Sequence, residues 1–487
     1  MNRRRLMSRI SRSRLLVLGV LSATMLMTVL DGSIVTVAMP AIQRDLGFAP
    51  AGLSWTVNAY LIAFGGLLLL AGRLGDLIGR RAMFLAGNVV FAAASLLAGA
   101  AGSPGMLIGA RFLQGVGSAM ASAVVLGILV TTFTDAGERA RAIGVFSFTG
   151  AAGASLGQVL GGVLTDALGW NYIFLINVPI GLVTIVLALR ALPADRGLGL
   201  SAGADALGAL LVTAGLMLGI YAVVEIGAVQ IERYGLRSLW FGVLALVLLA
   251  AFLVRQATAR TPLMPLRILR SRAVAGANLV QVLTLGAMFA FQVVVALFMQ
   301  QVLRYGALDT GLAMLPAALS IAGVSLFASP RLSTRFGARA VLLGGLVLLI
   351  GAMAWLTRVP VDARYVTDLL PAMALIMGAG LVLPALTALG MSDARSDDAG
   401  LVSGFFNTTQ QVGMAAGVAL LSTLAASRTE GLLAGGASEA VALTGGYRLA
   451  FTISLALLVG AFVVAYVVLR RPGAGVEQAA ELQPEEV

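Results

Sequence analysis

Residues 72–81 read GRLGDLIGRR, a short charged stretch between two long apolar runs. A weaker copy, PRLSTRFGAR, occupies residues 330–339 and also lies between apolar runs. Four positions match at a constant offset of 258 residues, Arg73, Leu74, Gly79 and Arg81 against Arg331, Leu332, Gly337 and Arg339. The same offset carries residue 15, where the first apolar run begins, to residue 273, where the ninth begins. The chain therefore contains two copies of one unit of six apolar runs.

The composition of the chain indicates that lipid is its solvent. Of its 487 residues 59% are hydrophobic and 11% charged, whereas soluble domains are typically about 45–50% apolar and about 25% charged. The net charge of +11 would favour a nucleic-acid partner in a soluble protein, but the arginines here lie between apolar runs. We therefore expect membrane lipids, and no nucleic acid, as partners.

Residue types that carry much of enzyme chemistry are absent. The chain has no cysteine and no histidine, and all 33 basic residues are arginine. Without lysine it can form neither a Walker A motif nor a Schiff base, so this chain alone cannot drive transport with ATP. Without cysteine or histidine it has no thiol nucleophile, no Ser-His pair and no ordinary zinc or haem ligands. We expect no enzymatic activity, no metal and no cofactor, with a proton gradient as the energy source.

Apolar runs long enough to cross a bilayer recur fourteen times. A transmembrane helix needs about 20 mostly apolar residues. Such runs lie near residues 15–40, 51–71, 82–101, 106–130, 142–165, 172–192, 205–225, 237–255, 273–298, 311–330, 340–358, 368–390, 403–425 and 448–470. The sequence lacks the short alternating segments of membrane barrels. It therefore predicts an all-α integral membrane protein with 14 transmembrane helices, arranged as two parallel six-helix halves plus two inserted central helices.

The same runs divide the chain into five predicted parts. They are a cytoplasmic N-terminal segment (1–14), an N-terminal six-helix bundle (15–192), a linker with inserted helices 7 and 8 (193–260), a C-terminal six-helix bundle (261–470) and an acidic cytoplasmic tail (471–487). Arginines concentrate in alternate loops, such as those with Arg80 and Arg81 or Arg139 and Arg141. Because basic residues favour the cytoplasmic side and the number of spans is even, both termini are predicted to be cytoplasmic.

One acidic residue lies well inside a predicted span. Asp31 precedes Pro40 in span one by nine residues, about 13 Å at the helical rise. Arg111 in span four lies about 8 Å deep from the same side. A carboxylate at that depth is expected to be protonated or paired. We predict that Asp31 and Arg111 pair, and that the pair opens when Asp31 gains a proton. The alternative is a static buried ion pair, and Glu225 is a second candidate proton carrier.

Several motifs resemble those of one transporter family. They are GRLGDLIGRR itself, LDGSIVTVAMPAI (30–42), RFLQGVGSA (111–119), GASLGQVLGG (153–162) and WNYIFLINVPIG (170–181). The chain resembles the major facilitator superfamily, and within it the fourteen-span drug:proton antiporters. Two positions differ from the family pattern, Gln158 in place of proline and Asn171 in place of arginine. The resemblance implies multidrug or antibiotic efflux, in the bacterial cytoplasmic membrane.

The 72–81 segment is predicted to form a cytoplasmic gate loop. Its glycines permit a tight turn and close approach of helices, and its arginines can meet lipid phosphates. The residues assigned to this gate are Gly72, Arg73, Gly75, Asp76, Gly79, Arg80 and Arg81. The alternative is a solvated loop that only sets the orientation of the chain.

The resemblance implies a partner for Asp76 in the opposite half. Asp76 would lie against the start of span thirteen, near Ser403 and Gly404, where a carboxylate is favourable by about 0.3–1 kcal/mol. Such a contact would stabilise the outward-facing state. Glu138, in the next cytoplasmic loop, is expected to pair with Arg73 or Arg80.

Span five carries a row of glycines that begins at Gly150 and continues at three- and four-residue steps to Gly161, with Gly162 beside it. Gly153, Gly157, Gly161 and Gly162 are predicted to form a seam at which span five approaches another helix closely. The resemblance favours a sliding surface against the opposite half. A plain packing interface is the alternative.

Polar and aromatic residues inside the spans are candidates for the cargo cavity. The positions assigned to it are Asn58, Gln114, Gln158, Phe291, Gln292, Asn407 and Gln410, with Tyr60, Asn177, Gln281 and Gln411 as further members. Because no second acid lies in mid-span, we expect an apolar, neutral or monocationic cargo. The predicted function is a monomeric proton-coupled antiporter that exports hydrophobic drugs or antibiotics by alternating access. The alternatives are an importer or symporter of a small metabolite and a non-transporting membrane sensor.

Overall fold

The computed structural model describes residues 3–49, 52–133, 135–195, 197, 199, 205–228, 231–259, 262, 271–391 and 399–469. Over these residues the chain is helical and contains no strand. The predicted all-α fold is therefore confirmed for the described chain. The predicted acidic tail at 471–487 lies outside the described residues.

The helices follow the predicted apolar runs. The first part of the chain forms α1 (Arg3–Leu46), α2 (Trp55–Ile78), α3 (Arg80–Gly99), α4 (Pro104–Thr132), α5 (Ala136–Ala167), α6 (Tyr172–Leu175), α7 (Asn177–Ala191), α8 (Ala206–Ala228) and α9 (Ile231–Thr258). The remainder forms α10 (Arg272–Leu297), α11 (Ala307–Gly323), α12 (Ser329–Phe336), α13 (Ala338–Leu356), α14 (Leu370–Leu375), α15 (Gly378–Met391), α16 (Ala399–Ala434) and α17 (Glu439–Val468). Short π-helical turns occupy Phe298–Val302, Val324–Ala328 and Tyr365–Leu369.

Most of these helices can cross a bilayer. Within the described ranges, 11 helices are long and apolar enough, and the bent pair Gly52–Leu68 and Leu70–Ile78, at 51°, raises the number to 12. The other two predicted spans, 142–165 and 205–225, fall in α5 and α8, which are helical but outside this set. The chain is thus a multi-pass membrane protein that is helical over the residues the structure describes.

The repeated motif forms the same corner in both halves. The predicted loop at 72–81 is shorter than expected, because α2 continues to Ile78 and α3 begins at Arg80. Gly79 alone breaks the helix, with φ +102°, and the matching Gly337 has φ +81° between α12 and α13. Glycine adopts this backbone region without the clash that a Cβ would cause. The matched pair of glycines is therefore required by the geometry of the corner.

The packing of the helices has the same repeat. In the N-terminal half α1 packs along α5, and in the C-terminal half α10 packs along α16. The halves meet where α5 packs on α11 and where α2 packs on α16. The 258-residue offset relates α2 to α11 and α5 to α16, so the two contacts are equivalent.

The inserted helices lie against one of these contacts. α8 packs on α9 and also touches α2 and α16. Thr213 Oγ1 of α8 donates to the Gly66 carbonyl of α2 at 3.1 Å. Asp205, buried just before α8, accepts hydrogen bonds from Gly208 N, Arg255 Nε and Gln256 Nε2 at 2.8–3.0 Å.

The bundle has two faces, which we name by α1. The near face is the end where α1 starts, and it includes the corner at Gly79. The far face is the end where α1 stops at Leu46. Among the described residues, three hydrogen bonds join the halves at the far face. They run from Gln300 Nε2 to Val37 O at 3.0 Å, from Gln301 Nε2 to Gln43 Oε1 at 3.4 Å and from Leu308 N to Asp166 Oδ2 at 2.8 Å. The far face is therefore closed by direct contacts.

The close contact of α1 and α5 can be tested at Gly157. A Cβ added there would lie 2.0 Å from Ser33 Oγ and 2.8 Å from the Leu30 carbonyl oxygen, whereas one added at Gly109 of α4 meets nothing within 4 Å. Overpacking costs about 1–3 kcal/mol. We expect Gly157→Val, but not Gly109→Val, to lower the Tm of the detergent-solubilised protein. Equal Tm values for the two variants would contradict this packing.

Candidate functional site

The Asp31 carboxylate lies at the centre of a buried polar cluster in the N-terminal half. Its side chain is 0% exposed and that of Arg111 is 1% exposed. Arg111 Nη1 of α4 donates a hydrogen bond to Asp31 Oδ2 of α1. The structure thus brings together the two residues that the sequence places at similar depth. Their role in proton coupling stays a prediction.

Two amides complete the surroundings of the carboxylate. Gln114 Nε2 donates to Asp31 Oδ1 at 3.0 Å, and Asn177 Nδ2 of α7 donates to the same oxygen at 2.8 Å. Gln114 also accepts from Arg111 Nη1 and donates to Ser95 Oγ of α3, both at 2.8 Å. Three donors are therefore aimed at one carboxylate, an arrangement that suits its ionised form.

The guanidinium group of Arg111 is held by α2 as well as by Asp31. Arg111 Nε donates to the Thr56 carbonyl at 2.8 Å. Its Cζ lies 4.5 Å from the centre of the Tyr60 ring and 5.7 Å from that of Phe174. The Tyr60 hydroxyl is in turn 2.9 Å from Ser118 Oγ. A buried cation over an aromatic face gains about 2 kcal/mol, so Arg111 links the charge on α1 to the position of α2.

The corner at Gly79 is fastened by a residue that the sequence analysis did not identify. Asp195, after the end of α7, accepts hydrogen bonds from Arg80 N at 2.6 Å and Arg81 N at 3.1 Å. A carboxylate at this place stabilises the N-terminus of α3. No local pattern marks Asp195, because its partners are main-chain groups more than a hundred positions away.

The charged side chains of the 72–81 segment have several described partners. Asp76 Oδ1 accepts from Arg80 Nη2 at 3.1 Å, and Arg81 Nη2 donates to the Leu189 carbonyl at 2.8 Å. Arg73 is half-buried, and a Cβ added to Gly75 would lie 2.3 Å from Val124 Cγ1 of α4. Gly72 packs more loosely, with its nearest contact at 3.9 Å. These contacts hold α2, α3 and α4 together at the near face.

The sequence analysis predicted partners for Asp76 and for Glu138. The predicted partner of Asp76 lies outside the described side chains, and that of Glu138 is wrong. The side chains at 401–404 lie outside the described residues, so the contact of Asp76 with the start of α16 stays a prediction. Glu138 pairs with Arg14 at 2.8 Å, a partner that the sequence analysis did not name. The reason is that α1 and α5 pack along their length, which brings their near-face ends together, while Arg80 is already engaged by Asp76.

The glycines of the α5 seam pack against two different helices, α1 and α11. Gly153, Gly157 and Gly161 face α1 of the same half, where added Cβ atoms would lie 2.8–3.2 Å from main-chain oxygens. Gly162 faces the opposite half, where an added Cβ would lie 2.6 Å from the Ala307 carbonyl oxygen of α11. Residues four apart share a helix face, whereas the next residue is turned by about 100°. The row is therefore mostly a packing surface within one half.

The predicted cavity residues occupy different environments. Gln114, Asn177 and Tyr60 belong to the Asp31 cluster. Asn58 is fully buried, and neither polar atom of its side chain has a partner among the described residues. Gln158 is 5% exposed, with Oε1 also unpartnered in the described chain. Phe291 is buried in the C-terminal core, and Gln292, Asn407 and Gln410 are half-buried. Their contact with cargo stays a prediction.

The buried pair can be tested by a double-mutant cycle. Removing one partner of a buried pair costs about 3–5 kcal/mol, because the other charge is left without its counter-charge. We expect Asp31→Asn and Arg111→Gln each to lower the Tm. The Tm of the double variant should fall by less than the two single losses added together. The measurement is the thermal unfolding of purified protein in one detergent. Strictly additive losses would show that the two charges do not interact.

Comparison with known proteins identifies the family. The Major Facilitator Superfamily profile matches residues 21–418. The puromycin resistance protein pur8 of Streptomyces alboniger is 38% identical over 447 residues, 91% of this chain and 88% of that protein. The cephamycin export protein CmcT of Amycolatopsis lactamdurans is 38% identical over 414 residues, 83% of this chain and 84% of that protein. The fold is similar to that of PepTSo, a POT family transporter, with a TM-score of 0.65 at 15% identity over 97% of this chain and 99% of that one. The chain belongs to the Major Facilitator Superfamily and is a multi-pass membrane transporter rather than an enzyme.

Proposed function

We propose that this transporter exports hydrophobic drugs or antibiotics across the bacterial cytoplasmic membrane in exchange for protons, by alternating access. The observation that carries the proposal is the fully buried Asp31 carboxylate inside α1, paired with Arg111. Ionisable groups within a membrane bundle are costly, and by default they are functional. The other buried acid of the described chain, Asp205, lies at the start of α8 and caps it.

The contacts of Arg111 suggest how a proton could move the protein. A proton that binds Asp31 removes the negative charge, while Arg111 keeps its positive charge and its contacts with α2. The guanidinium group would then turn towards the Thr56 carbonyl and the Tyr60 ring. Because α2 packs on α16, a shift of α2 would change the contact between the halves. Loss of the proton to the opposite side would reverse the change.

Alternating access requires that the far face open when cargo is released. The three hydrogen bonds between the halves at this face would break, including the one from Leu308 N to Asp166. Gly162 lets α5 and α11 approach to main-chain contact, so closure there needs no side-chain rearrangement. At the near face, closure would bring Asp76 to the start of α16.

The cargo class is supported by the relatives and by the charge of the spans. The two relatives named above are a puromycin resistance protein and a cephamycin export protein. Asp31 is bound by Arg111 and two amides, which leaves no free carboxylate in this cluster for a cationic cargo. Half-buried amides such as Gln292 and Gln410 can orient an otherwise apolar molecule.

We extend the proposal to the topology of the chain. Helices α5 and α8 cross the membrane as well, which gives fourteen spans in two six-helix halves plus the inserted pair α8 and α9. Both termini lie in the cytoplasm, so the near face is the cytoplasmic one. The transporter works as a monomer, because each half supplies the other with its packing partner.

The proposal is tested by transport into liposomes with an imposed pH gradient. Wild type, Asp31→Asn and the control Asp362→Asn, an exposed acid at the far face, are compared with a panel of lipophilic dyes and antibiotics. We expect wild type and Asp362→Asn to move cargo at a rate that depends on the gradient. Asp31→Asn should still bind cargo but should lose this dependence.

Other outcomes would contradict specific parts of the proposal. Equal flux with and without a gradient would exclude proton coupling. Cargo that moves together with protons, in the same direction, would indicate a symporter. Absence of any flux, with normal binding, would favour a sensor. Normal coupling in Asp31→Asn would place the proton site elsewhere, and Glu225, whose side chain is outside the described residues, would be tested next.

A further inference from the structure

A basic cavity opens at the near face of the N-terminal half, away from Asp31 and the candidate cargo residues. Its volume is about 890 Å³, within the range of about 300–1,000 Å³ typical of small-molecule sites. Residues of α1, α2, α3, α4 and α7 line it, together with the segment after α7. We call it the near-face cavity.

Positive charge predominates in the lining of the near-face cavity. Four arginines line it, Arg14, Arg80, Arg81 and Arg190, against two aspartates, Asp76 and Asp195. Both aspartates are already engaged, Asp76 by the Arg80 side chain and Asp195 by main-chain N–H groups of α3. Arg14 is paired with Glu138 and Arg80 with Asp76. Arg81 and Arg190 therefore supply the positive charge that remains for an anion from outside the chain.

Two of the arginines have unused hydrogen-bond donors. Arg81 Nε is buried, and no acceptor for it lies among the described residues. Arg190, in the last turn of α7, makes no hydrogen bond or ion pair with the described part of the chain. A buried donor without an acceptor is costly, so an oxygen from a ligand would be favourable here. The planar fork of arginine suits the oxygens of a phosphate group in particular.

The location of the cavity suggests which phosphate it receives. Val17, Ile128 and Leu192 form an apolar part of its wall. The cavity lies where the apolar part of α1 begins and where α7 ends, the depth at which phospholipid headgroups are expected. Exposed Leu15 and Leu189 flank this level on the outside of the bundle. Basic pockets between transmembrane helices are known to hold anionic lipid headgroups.

We propose that the near-face cavity binds the phosphate group of an anionic phospholipid, with Arg81 and Arg190 as its principal ligands. The apolar wall would contact the glycerol and the first part of the acyl chains. Because Arg81 follows the corner at Gly79, the bound lipid would also hold that corner in place.

The proposal is tested by native mass spectrometry on delipidated protein in detergent. Phosphatidylglycerol, phosphatidylcholine and inorganic phosphate are titrated separately into wild type, Arg81→Gln/Arg190→Gln and Arg331→Gln/Arg335→Gln. The control pair lies on α12, beside the matching corner of the other half, and removes the same charge. We expect selective binding of phosphatidylglycerol, weakened about tenfold or more in the first double variant and unchanged in the control.

Several results would overturn the proposal. Equal binding of the two lipids, or undiminished binding by Arg81→Gln/Arg190→Gln, would exclude a phosphate site at these residues. Competition by inorganic phosphate at the same concentration as the lipid would assign the cavity to a free anion. If the double variant does not fold, the exposed single change Arg190→Gln is used, and it should still weaken binding of phosphatidylglycerol. The readout is binding, so it does not depend on whether the transport proposal holds.

Discussion

The buried charge pair of Asp31 and Arg111 is the interaction on which the N-terminal half depends. A charge among transmembrane helices is tolerated only when other groups replace the water it has lost. Arg111, Gln114 and Asn177 donate to the Asp31 carboxylate the hydrogen bonds that water would otherwise supply. The Thr56 carbonyl accepts one from Arg111 in the same way. Helices α1, α2, α4 and α7 are thus positioned around one cluster. Loss of either partner is costly, because the other charge is then buried without its counter-charge.

The charge cluster has no counterpart in the second half, although the two halves repeat. The 258-residue offset carries Asp31 to Phe289, Arg111 to Leu369 and Gln114 to Ala372, all of them apolar. The halves therefore share a fold but differ in chemistry. Among the described residues, the buried pair of opposite charges lies in the N-terminal half, while the C-terminal half has an apolar core that includes Phe291. The two halves communicate where α2 meets α16 and where α5 meets α11.

The parts of this architecture that the sequence predicted are those set by helical geometry. The rise of a helix is fixed, so counting residues placed Asp31 and Arg111 at similar depths, and the repeat located the corners at Gly79 and Gly337. The sequence did not predict the ion pairs and hydrogen bonds that depend on the rotation of each helix about its axis. Glu138 meets Arg14, and Asp195 reaches the start of α3 from a distant part of the chain. Gly153, Gly157 and Gly161 face α1, because the rotation of α5 about its axis has no signal in the sequence.

The most direct test of the account is the count of protons released when cargo binds. A transported dye is added to purified protein in weakly buffered detergent solution, and a pH indicator reports release, while tryptophan fluorescence confirms binding. If Asp31 exchanges its proton as cargo binds, wild type releases protons and Asp31→Asn, at equal cargo occupancy, releases none. Equal release by both proteins would contradict a coupling role for the Asp31–Arg111 pair.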